Sequence, residues 1–330
     1  MKNSLYLFSD GELVRKDNTL CFKTDAGNRF VPVENVNEIF VFGEVSFNKK
    51  FLELLSQQEI ILHYFSYYDY YMGSFYPREH LNSGYVILRQ VEYYTNNEKR
   101  LSLAKCFIHG AVKNILRVLK YYQSRGKQTN QSIQSIEKLT DSIDSSASIE
   151  VLMAIEGNIR EHYYRSFDNI LQHEDFIFER RSRRPPKNNL NTLISFGNSM
   201  IYTICLSEIY KTHLDPRIGY LHTTNFRRFS LNLDIAEIFK PIIVDRVIFS
   251  VIGKGMISGK DFVAGTEGLM MSEKAKKVFV NEMEEKLKTT INHRSLGRNV
   301  SYRRMIRLEL YKVEKHIMGE KNYEPFIAQW

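Results

Sequence analysis

Cysteine, proline and tryptophan are scarce in this chain of 330 residues, which contains 3, 7 and 1 of them. The cysteines Cys21, Cys106 and Cys205 lie far apart and form no Cys-X-X-Cys pair. That spacing argues against both a disulfide framework and a cysteine zinc site. We expect all three to be small buried hydrophobic residues.

Long apolar runs are also missing. The unbroken apolar stretches, such as residues 151–155 and 242–244, are far shorter than the roughly 20 residues that a membrane-spanning helix needs. Near the N-terminus, Asp10 and Glu12 interrupt the apolar segment before it reaches the length of a signal-peptide core. The sequence therefore predicts a cytoplasmic protein with no membrane partner.

Positive charge and aromatic residues are abundant. The chain has 46 Lys and Arg against 38 Asp and Glu, a net charge of +8, and 13% of its residues are aromatic. Such a composition favours an anionic partner with flat surfaces, which nucleic acid provides. An ordinary basic protein has a similar composition, so composition alone leaves both interpretations open.

The hydrophobic period changes near residue 80. Residues 4–8, 19–23, 37–42 and 59–65 are rich in β-branched and aromatic residues and are separated by turn residues, with one short helix expected over 48–58. From residue 84 onward, apolar residues recur every three or four positions. The predicted fold class is therefore α+β with two domains: a small β-rich N-terminal domain over residues 1–80 and a larger all-α helical domain over 81–330.

The helical domain is expected to contain several long amphipathic helices. Their predicted ranges are 102–122, 148–171, 188–212, 234–252, 272–288 and 300–318. Residues 128–146 are polar and predict either a connection or a short exposed helix.

A cationic loop is predicted between two of these helices, over residues 174–189. The pair Pro185-Pro186 forces extended backbone there. The loop cations are Arg180, Arg181, Arg183, Arg184 and Lys187. They would either capture phosphates, releasing counterions, or belong to a solvated surface loop, and the sequence does not decide between the two.

Metal-type ligands occur in three places. Glu156 precedes a mid-helix glycine, Gly157, whose cost of roughly 1 kcal/mol against alanine suggests close approach of another backbone or a ligand. His222 lies in a loop, and Asp234 and Glu237 are three residues apart, on one face of a helix. Each has an ordinary alternative: a solvent-facing glutamate, a structural histidine and, for Asp234, a helix cap.

Together these side chains form a mixed oxygen and nitrogen donor set. Such a set suits Mg²⁺ or Mn²⁺, with positions left for water and phosphate oxygens. In phosphodiester chemistry the ion activates the attacking oxygen and stabilises charge on phosphorus. The flanking cations Arg227, Arg228 and Arg246 would hold the phosphate in line.

Four motifs, in this order and spacing, resemble one known family. They are MAIEG (153–157), SFGNSM (195–200), GYLH (219–222) and SLNLDIAEIFKPIIVDR (230–246), with further similarity in FYPRE (75–79), Arg89-Gln90 and the segments 306–309 and 323–326. They are similar to the CRISPR-associated integrase, Cas protein one. The resemblance covers nearly the whole chain, and its C-terminal end is similar to the branch found with type I-B systems.

The resemblance implies a β-rich N-terminal domain that mediates homodimerisation and a helical domain that holds a catalytic metal. It implies an enzyme that inserts short foreign double-stranded DNA (spacers) into the CRISPR repeat array by 3′-hydroxyl attack on a phosphodiester, together with the small Cas protein two as bridging partner. The family ligands correspond to Glu156, His222 and Glu237, although the third is often aspartate. Asp234 is an alternative ligand or a carboxylate that orients one of the ligands.

Two other functions stay open at this point: a stand-alone divalent-metal nuclease that acts on branched DNA in repair, and a non-enzymatic nucleic-acid scaffold. The aromatic residues between 63 and 76 would either stack on DNA bases, at about 1–3 kcal/mol per base, or fill the sheet core and an interface.

Overall fold

The structure is a computed structural model that describes residues 2–78, 81, 83–223, 229–265, 268–293 and 296–329. The chain divides into two compact units, Met1–Leu81 and Asn82–Trp330. The first is rich in strands and the second is mostly helical. The predicted order, a β-rich region followed by a larger helical region, is confirmed.

Strands of the first unit form two four-stranded sheets within residues 2–78. The elements are β1 (Asn3–Leu7), β2 (Gly11–Lys16), β3 (Thr19–Thr24), β4 (Gly27–Pro32), β5 (Val36–Val41), β6 (Val45–Phe47), α1 (Lys49–Gln57), β7 (Ile61–Phe65) and β8 (Tyr71–Phe75). One sheet has the order β1-β5-β7-β8, with the first three strands parallel, and the other has the order β4-β3-β2-β6. Strands β2, β4, β6 and β8 were not predicted from the sequence.

The core of this unit is built by both sheets and α1. Leu7 and Ile39 come from the first sheet, Leu13 and Leu20 from the second, and Phe51 from α1. The apolar residues of α1 lie on one side of it, so a single helix covers the core.

In the aromatic segment of β7 and β8, successive side chains alternate between the buried and the exposed face of the sheet. His63 and Phe65 are buried, whereas Tyr64 on the opposite face is 45% exposed. Phe65 stacks on Phe42 with ring centroids 4.4 Å apart. Alternate residues therefore pack inside the protein, and base stacking stays a prediction for exposed rings such as Tyr67, which is 72% exposed.

The second unit consists mainly of helices. They are α2 (Gly84–Thr95), α3 (Asn97–Gln123), α4 (Asn130–Ser145), α5 (Ile149–Leu171), α6 (Asn189–Tyr210), α7 (Leu231–Phe239), α8 (Arg246–Gly253), α9 (Glu273–Lys288) and α10 (Tyr302–Ile317). Two small antiparallel sheets were not predicted: β9 (Phe262–Gly265) pairs with β10 (Gly268–Met271), and β11 (Thr290–His293) pairs with β12 (Arg298–Ser301). Of the two alternatives predicted for residues 128–146, the structure has the helix, α4, over Asn130–Ser145.

The predicted helix over 234–252 is interrupted. A π-helical turn, Pro241–Asp245, joins α7 to α8, and the Asp245 N–H donates to the carbonyl of Lys240 at 3.0 Å. Proline cannot supply the N–H that would continue the α-helical ladder. The turn inserts an extra residue, a change often found near functional sites.

Two cysteines behave as predicted and one differs. Cys21 and Cys205 are buried, whereas Cys106 is only partly buried. In the described residues, no helix combines the length and the apolar character that crossing a membrane requires.

Gly157 does not meet the expected close neighbour. Outside its chain neighbours and its own helix backbone, a Cβ built on Gly157 has no protein atom within 4 Å, whereas one on Gly197 would lie 2.5 Å from Val244 Cγ1 and 3.1 Å from Phe279 Cζ. The glycine that permits close packing is thus Gly197 in α6, and the prediction that another backbone approaches Gly157 is wrong.

These two glycines should respond in opposite ways to alanine. We expect Gly157→Ala to stabilise the protein by about 0.5–1 kcal/mol, because alanine is the better helix former and meets no clash. Gly197→Ala should destabilise it by about 1–3 kcal/mol through overpacking. Denaturant unfolding followed by circular dichroism measures both, and equal effects at the two sites would contradict the packing described here.

Candidate metal centre

Glu156 of α5 and Glu237 of α7 both bind the guanidinium group of Arg160. Arg160 lies one turn after Glu156 in α5 and donates from Nε to Glu156 Oε1 at 2.8 Å. Its Nη2 donates to Glu237 Oε2 in α7. All three side chains are largely buried. The two carboxylates therefore lie close together, each bound to a different nitrogen of the same guanidinium group.

Lys240 engages the other oxygen of Glu237. Its Nζ forms an ion pair with Glu237 Oε1 and lies 4.6 Å from the Tyr202 ring centroid. Burial alone would raise the pKa of Glu237, but the charges of Arg160 and Lys240 lower it to about 2. Glu237 therefore stays ionised although it is buried.

Pro241 explains why a backbone carbonyl of α7 can accept a hydrogen bond from Arg160. In a regular helix the N–H of residue 241 would bond to the carbonyl of Glu237, and proline has no N–H. Arg160 Nη2 lies 3.3 Å from this carbonyl oxygen and donates to it. The guanidinium thus also satisfies a backbone acceptor that the helix leaves open.

His222 is oriented by Asp234. The imidazole Nδ1 lies 2.8 Å from Asp234 Oδ1, which also accepts from the His222 N–H at 2.9 Å. Asp234 Oδ2 accepts from the N–H groups of Tyr220 and Leu221 at 2.6 and 3.1 Å. One carboxylate near the start of α7 therefore fixes both the GYLH backbone and the ring of His222.

This contact fixes which histidine nitrogen remains for a ligand. With Nδ1 bound to a carboxylate, Nε2 is the nitrogen free to bind a metal, an arrangement common in metalloproteins. Burial lowers the pKa of His222, but the hydrogen bond and charge of Asp234, together with the charge of Glu237, leave this pKa above its usual value.

The side chains fit a divalent ion chemically. Two carboxylates and an imidazole form an oxygen-rich donor set of the kind that Mg²⁺ or Mn²⁺ accepts. Within the described ranges, no three His, Cys, Asp or Glu side chains already stand in a ligand arrangement. The carboxylate oxygens instead contact the cations Arg160 and Lys240.

Four residues around these carboxylates were missed in the sequence analysis: Arg160, Lys240, Tyr163 and Asp245. Burial raises the pKa of Asp245 to about 7, against the opposing charge of Arg160, and the Tyr163 hydroxyl lies beside it. The i, i+4 spacing of Glu156 and Arg160 was a readable signal for one of them. Lys240 and Asp245 required the position of the π-helical turn.

The predicted phosphate-binding cations occupy different settings. Arg180, Arg183 and Arg184 are exposed. Arg181 donates to Asn191 Oδ1 at 2.9 Å and Ser195 Oγ at 3.0 Å, so it anchors the loop to α6. Arg227 and Arg228 lie outside the described residues. Arg246 lies against the Tyr121 ring, 4.2 Å from its centroid.

Comparison with known proteins decides the family. Residues 5–285 match the family model described as CRISPR associated protein Cas1. The CRISPR-associated endonuclease Cas1 2 of Thermodesulfovibrio yellowstonii is 58% identical over 330 residues and the alignment covers all of both chains. The chain belongs to the Cas1 family. The predicted family and the prediction of a CRISPR-associated endonuclease are confirmed.

Solved structures agree with this assignment. TM1797, a Cas1 protein from Thermotoga maritima, superimposes with a TM-score of 0.89 at 48% identity, covering 98% of this Cas1 chain and 99% of that chain. A casposase bound to its integration product shares the fold at 20% identity and a TM-score of 0.87, covering 99% and 94%. A Cas6-RT-Cas1–Cas2 complex shares it at 18% identity and 0.85, covering 100% of this chain and 36% of that one.

Proposed function

We propose that this Cas1 protein is the integrase of CRISPR adaptation, joining short DNA to a repeat by metal-dependent transesterification. The observation that carries the proposal is the pairing of Glu156 and Glu237 across two helices on one buried guanidinium. Two carboxylates on neighbouring helices can hold a divalent ion, which would activate an attacking oxygen and stabilise charge on phosphorus. The relationship to Cas1 endonucleases supports it.

We propose Glu156, His222 and Glu237 as the ligands of Mg²⁺ or Mn²⁺. When bound, the ion would supply Lewis-acid stabilisation and activate an attacking oxygen. The chain itself contributes orientation: Asp234 holds the His222 ring, and Arg160 and Lys240 keep the Glu237 carboxylate ionised. Hydrolysis by water at the same centre would account for endonuclease activity.

The proposed partners are the incoming spacer DNA, the CRISPR repeat DNA, a second copy of the chain and the small Cas protein two. The family resemblance and the Cas1–Cas2 complex that shares this fold support them. Residues 1–80 are proposed to mediate the dimer, and 81–330 to carry catalysis. Arg180, Arg183 and Arg184, which are exposed, are the loop cations best placed to contact phosphate.

A strand-transfer assay tests the function. Labelled short duplex DNA is incubated with a repeat-containing plasmid, with and without the Cas2 protein, in Mn²⁺, Mg²⁺ or EDTA. Covalent joining that needs a metal supports the integrase. Cleavage without joining would favour the stand-alone nuclease, and DNA that is bound but chemically unchanged would favour the scaffold.

Asp234 should act through His222 rather than as a ligand. We expect Asp234→Asn to weaken Mn²⁺ binding about 10–100-fold, the usual effect of losing a carboxylate that hydrogen-bonds to a ligand histidine. Titration of the metal by calorimetry measures this. Asp141→Asn is a suitable control, because Asp141 lies on the exposed side of α4. Unchanged affinity in Asp234→Asn would remove the proposed positioning role.

A further inference from the structure

Three cations meet tyrosine rings at the ends of several helices in the second unit. Arg246, at the start of α8, lies 4.2 Å from the Tyr121 ring centroid, and Arg125, just after α3, lies 4.5 Å from the same centroid. Lys286, in the last turn of α9, lies 4.7 Å from the ring of Tyr302. We refer to Arg125, Arg246 and Lys286 with Tyr121 and Tyr302 as the cation–tyrosine cluster.

The cations are close enough to influence one another. Burial and the positive charge of Arg246 lower the pKa of Lys286 to about 8. The same arginine lowers the pKa of Tyr302, against a larger effect of burial that raises it. Arg246 therefore lies within electrostatic reach of both residues, which links the α3 end of the cluster to the α9 and α10 end.

Tyrosine faces position cations without neutralising them. A ring attracts a cation through its quadrupole and carries no net charge. Guanidinium groups that stack on aromatic rings keep their N–H groups available for bidentate bonds to phosphate. A like-charge pair at a half-buried position is unfavourable by itself, and an anion between the cations would offset that repulsion.

We propose that Arg125, Arg246 and Lys286 form a nucleic-acid phosphate site separate from the carboxylate centre. The cluster is built by the ends of α3, α8, α9 and α10, whereas the carboxylate centre is built by α5 and α7. The choice of nucleic acid as ligand rests on the proposed function. Cations drawn from three helix ends suit successive phosphates of a strand better than one small anion.

The cluster also has a packing connection to α5. Tyr122 packs edge-on against Phe249 of α8 at 5.1 Å, and Phe249 packs against Phe167 of α5 at 4.6 Å. This aromatic row fixes the end of α3 relative to the helix that carries Glu156. A strand held at the cluster would thus be held at a fixed distance from the carboxylates.

Salt-dependent DNA binding tests the proposal. Anisotropy of a labelled duplex is measured in EDTA for wild type, for Lys286→Met and for the double variant Arg246→Met/Lys286→Met. Each lost phosphate contact should reduce the slope of log affinity against log salt by about 0.9. We expect the double variant to lose about 2 in slope and at least about tenfold in affinity near 0.1 M salt.

Two controls separate lost charge from lost packing. Lys254→Met removes one charge from the C-terminal end of α8, where Lys254 pairs with Glu282 at 3.4 Å, and should leave the slope near wild type. Lys286→Arg keeps the charge and should bind like wild type. A slope in the double variant equal to that of Lys254→Met would overturn the proposal.

A measurement on wild-type protein covers the case in which the methionine variants do not fold. Acylation of lysines is followed by mass spectrometry with and without duplex DNA, and DNA should protect Lys286 but not Lys254. Equal labelling of Lys286 in both samples would overturn the site. Because both experiments omit metal, their result is independent of whether strand transfer occurs.

Discussion

Replacing Glu237 with glutamine is expected to reduce strand transfer and cleavage by about 1,000-fold or more. Glutamine keeps the shape of the side chain and removes the charge that a divalent ion needs. Metal catalysis contributes several kcal/mol of transition-state stabilisation, and about 4 kcal/mol corresponds to about 1,000-fold in rate. Single-turnover strand transfer with Mn²⁺ and bound labelled DNA measures the effect.

DNA binding serves as the internal control for this variant. The Glu237 carboxylate is buried between Arg160 and Lys240, so its loss should leave the affinity for duplex DNA in EDTA within a few-fold. Glu161→Gln is the matched substitution, because Glu161 lies on α5 in an exposed pair with Arg165, and it should react normally. Normal rates in Glu237→Gln would exclude Glu237 from the reaction.

Replacing Arg160 with methionine is expected to cost about 3–5 kcal/mol of unfolding free energy. Removing one partner of a buried ion pair leaves an uncompensated charge, and here two carboxylates and the Glu237 carbonyl would lose the same donor. For a helical unit of this size the melting temperature should fall by about 6–20 °C. Thermal unfolding followed by circular dichroism measures this change.

Arg165→Met provides an unusually close control. Arg165 pairs with Glu161 at the same i, i+4 spacing in the same helix and at 2.9 Å, but its side chain is 67% exposed, whereas that of Arg160 is 10% exposed. Exposed pairs contribute about 0.2–1 kcal/mol, so Arg165→Met should change stability little. Similar losses of unfolding free energy in both variants would show that any arginine-to-methionine change in α5 destabilises the protein, whether or not the arginine belongs to the buried charge network.

The sequence predicted those parts of the fold that depend on local periodicity. Helices α5, α6 and α9 were placed within a residue or two, because long apolar stripes and good caps such as Asn188 determine them locally. Strands β2 and β6 carry weak apolar patterns and form by pairing with each other and, for β2, with β3. Sheet pairing is a tertiary property, which explains why they were missed.

At the candidate site, too, the sequence predicted the ligands but not the residues that contact them. Glu156, His222 and Glu237 were predicted from residue type and spacing and then from the family motifs, and the structure places Glu156 and Glu237 on Arg160. Neither the buried state of Arg160 nor the bonds from three backbone N–H groups to Asp234 have a sequence pattern of their own. Such contacts depend on where two distant segments meet, so they become visible only in three dimensions.

The π-helical turn Pro241–Asp245 changes the direction in which the side chains beyond it point. One extra residue rotates everything beyond it by about 100°, the angle per residue of a helix with 3.6 residues per turn. Asp245 consequently lies beside Tyr163 of α5, while Arg246 lies against Tyr121 of α3. The number of residues between Glu237 and Arg246 is therefore constrained even where side-chain identity is not. A single-residue deletion there would misalign the carboxylate centre with the cation–tyrosine cluster.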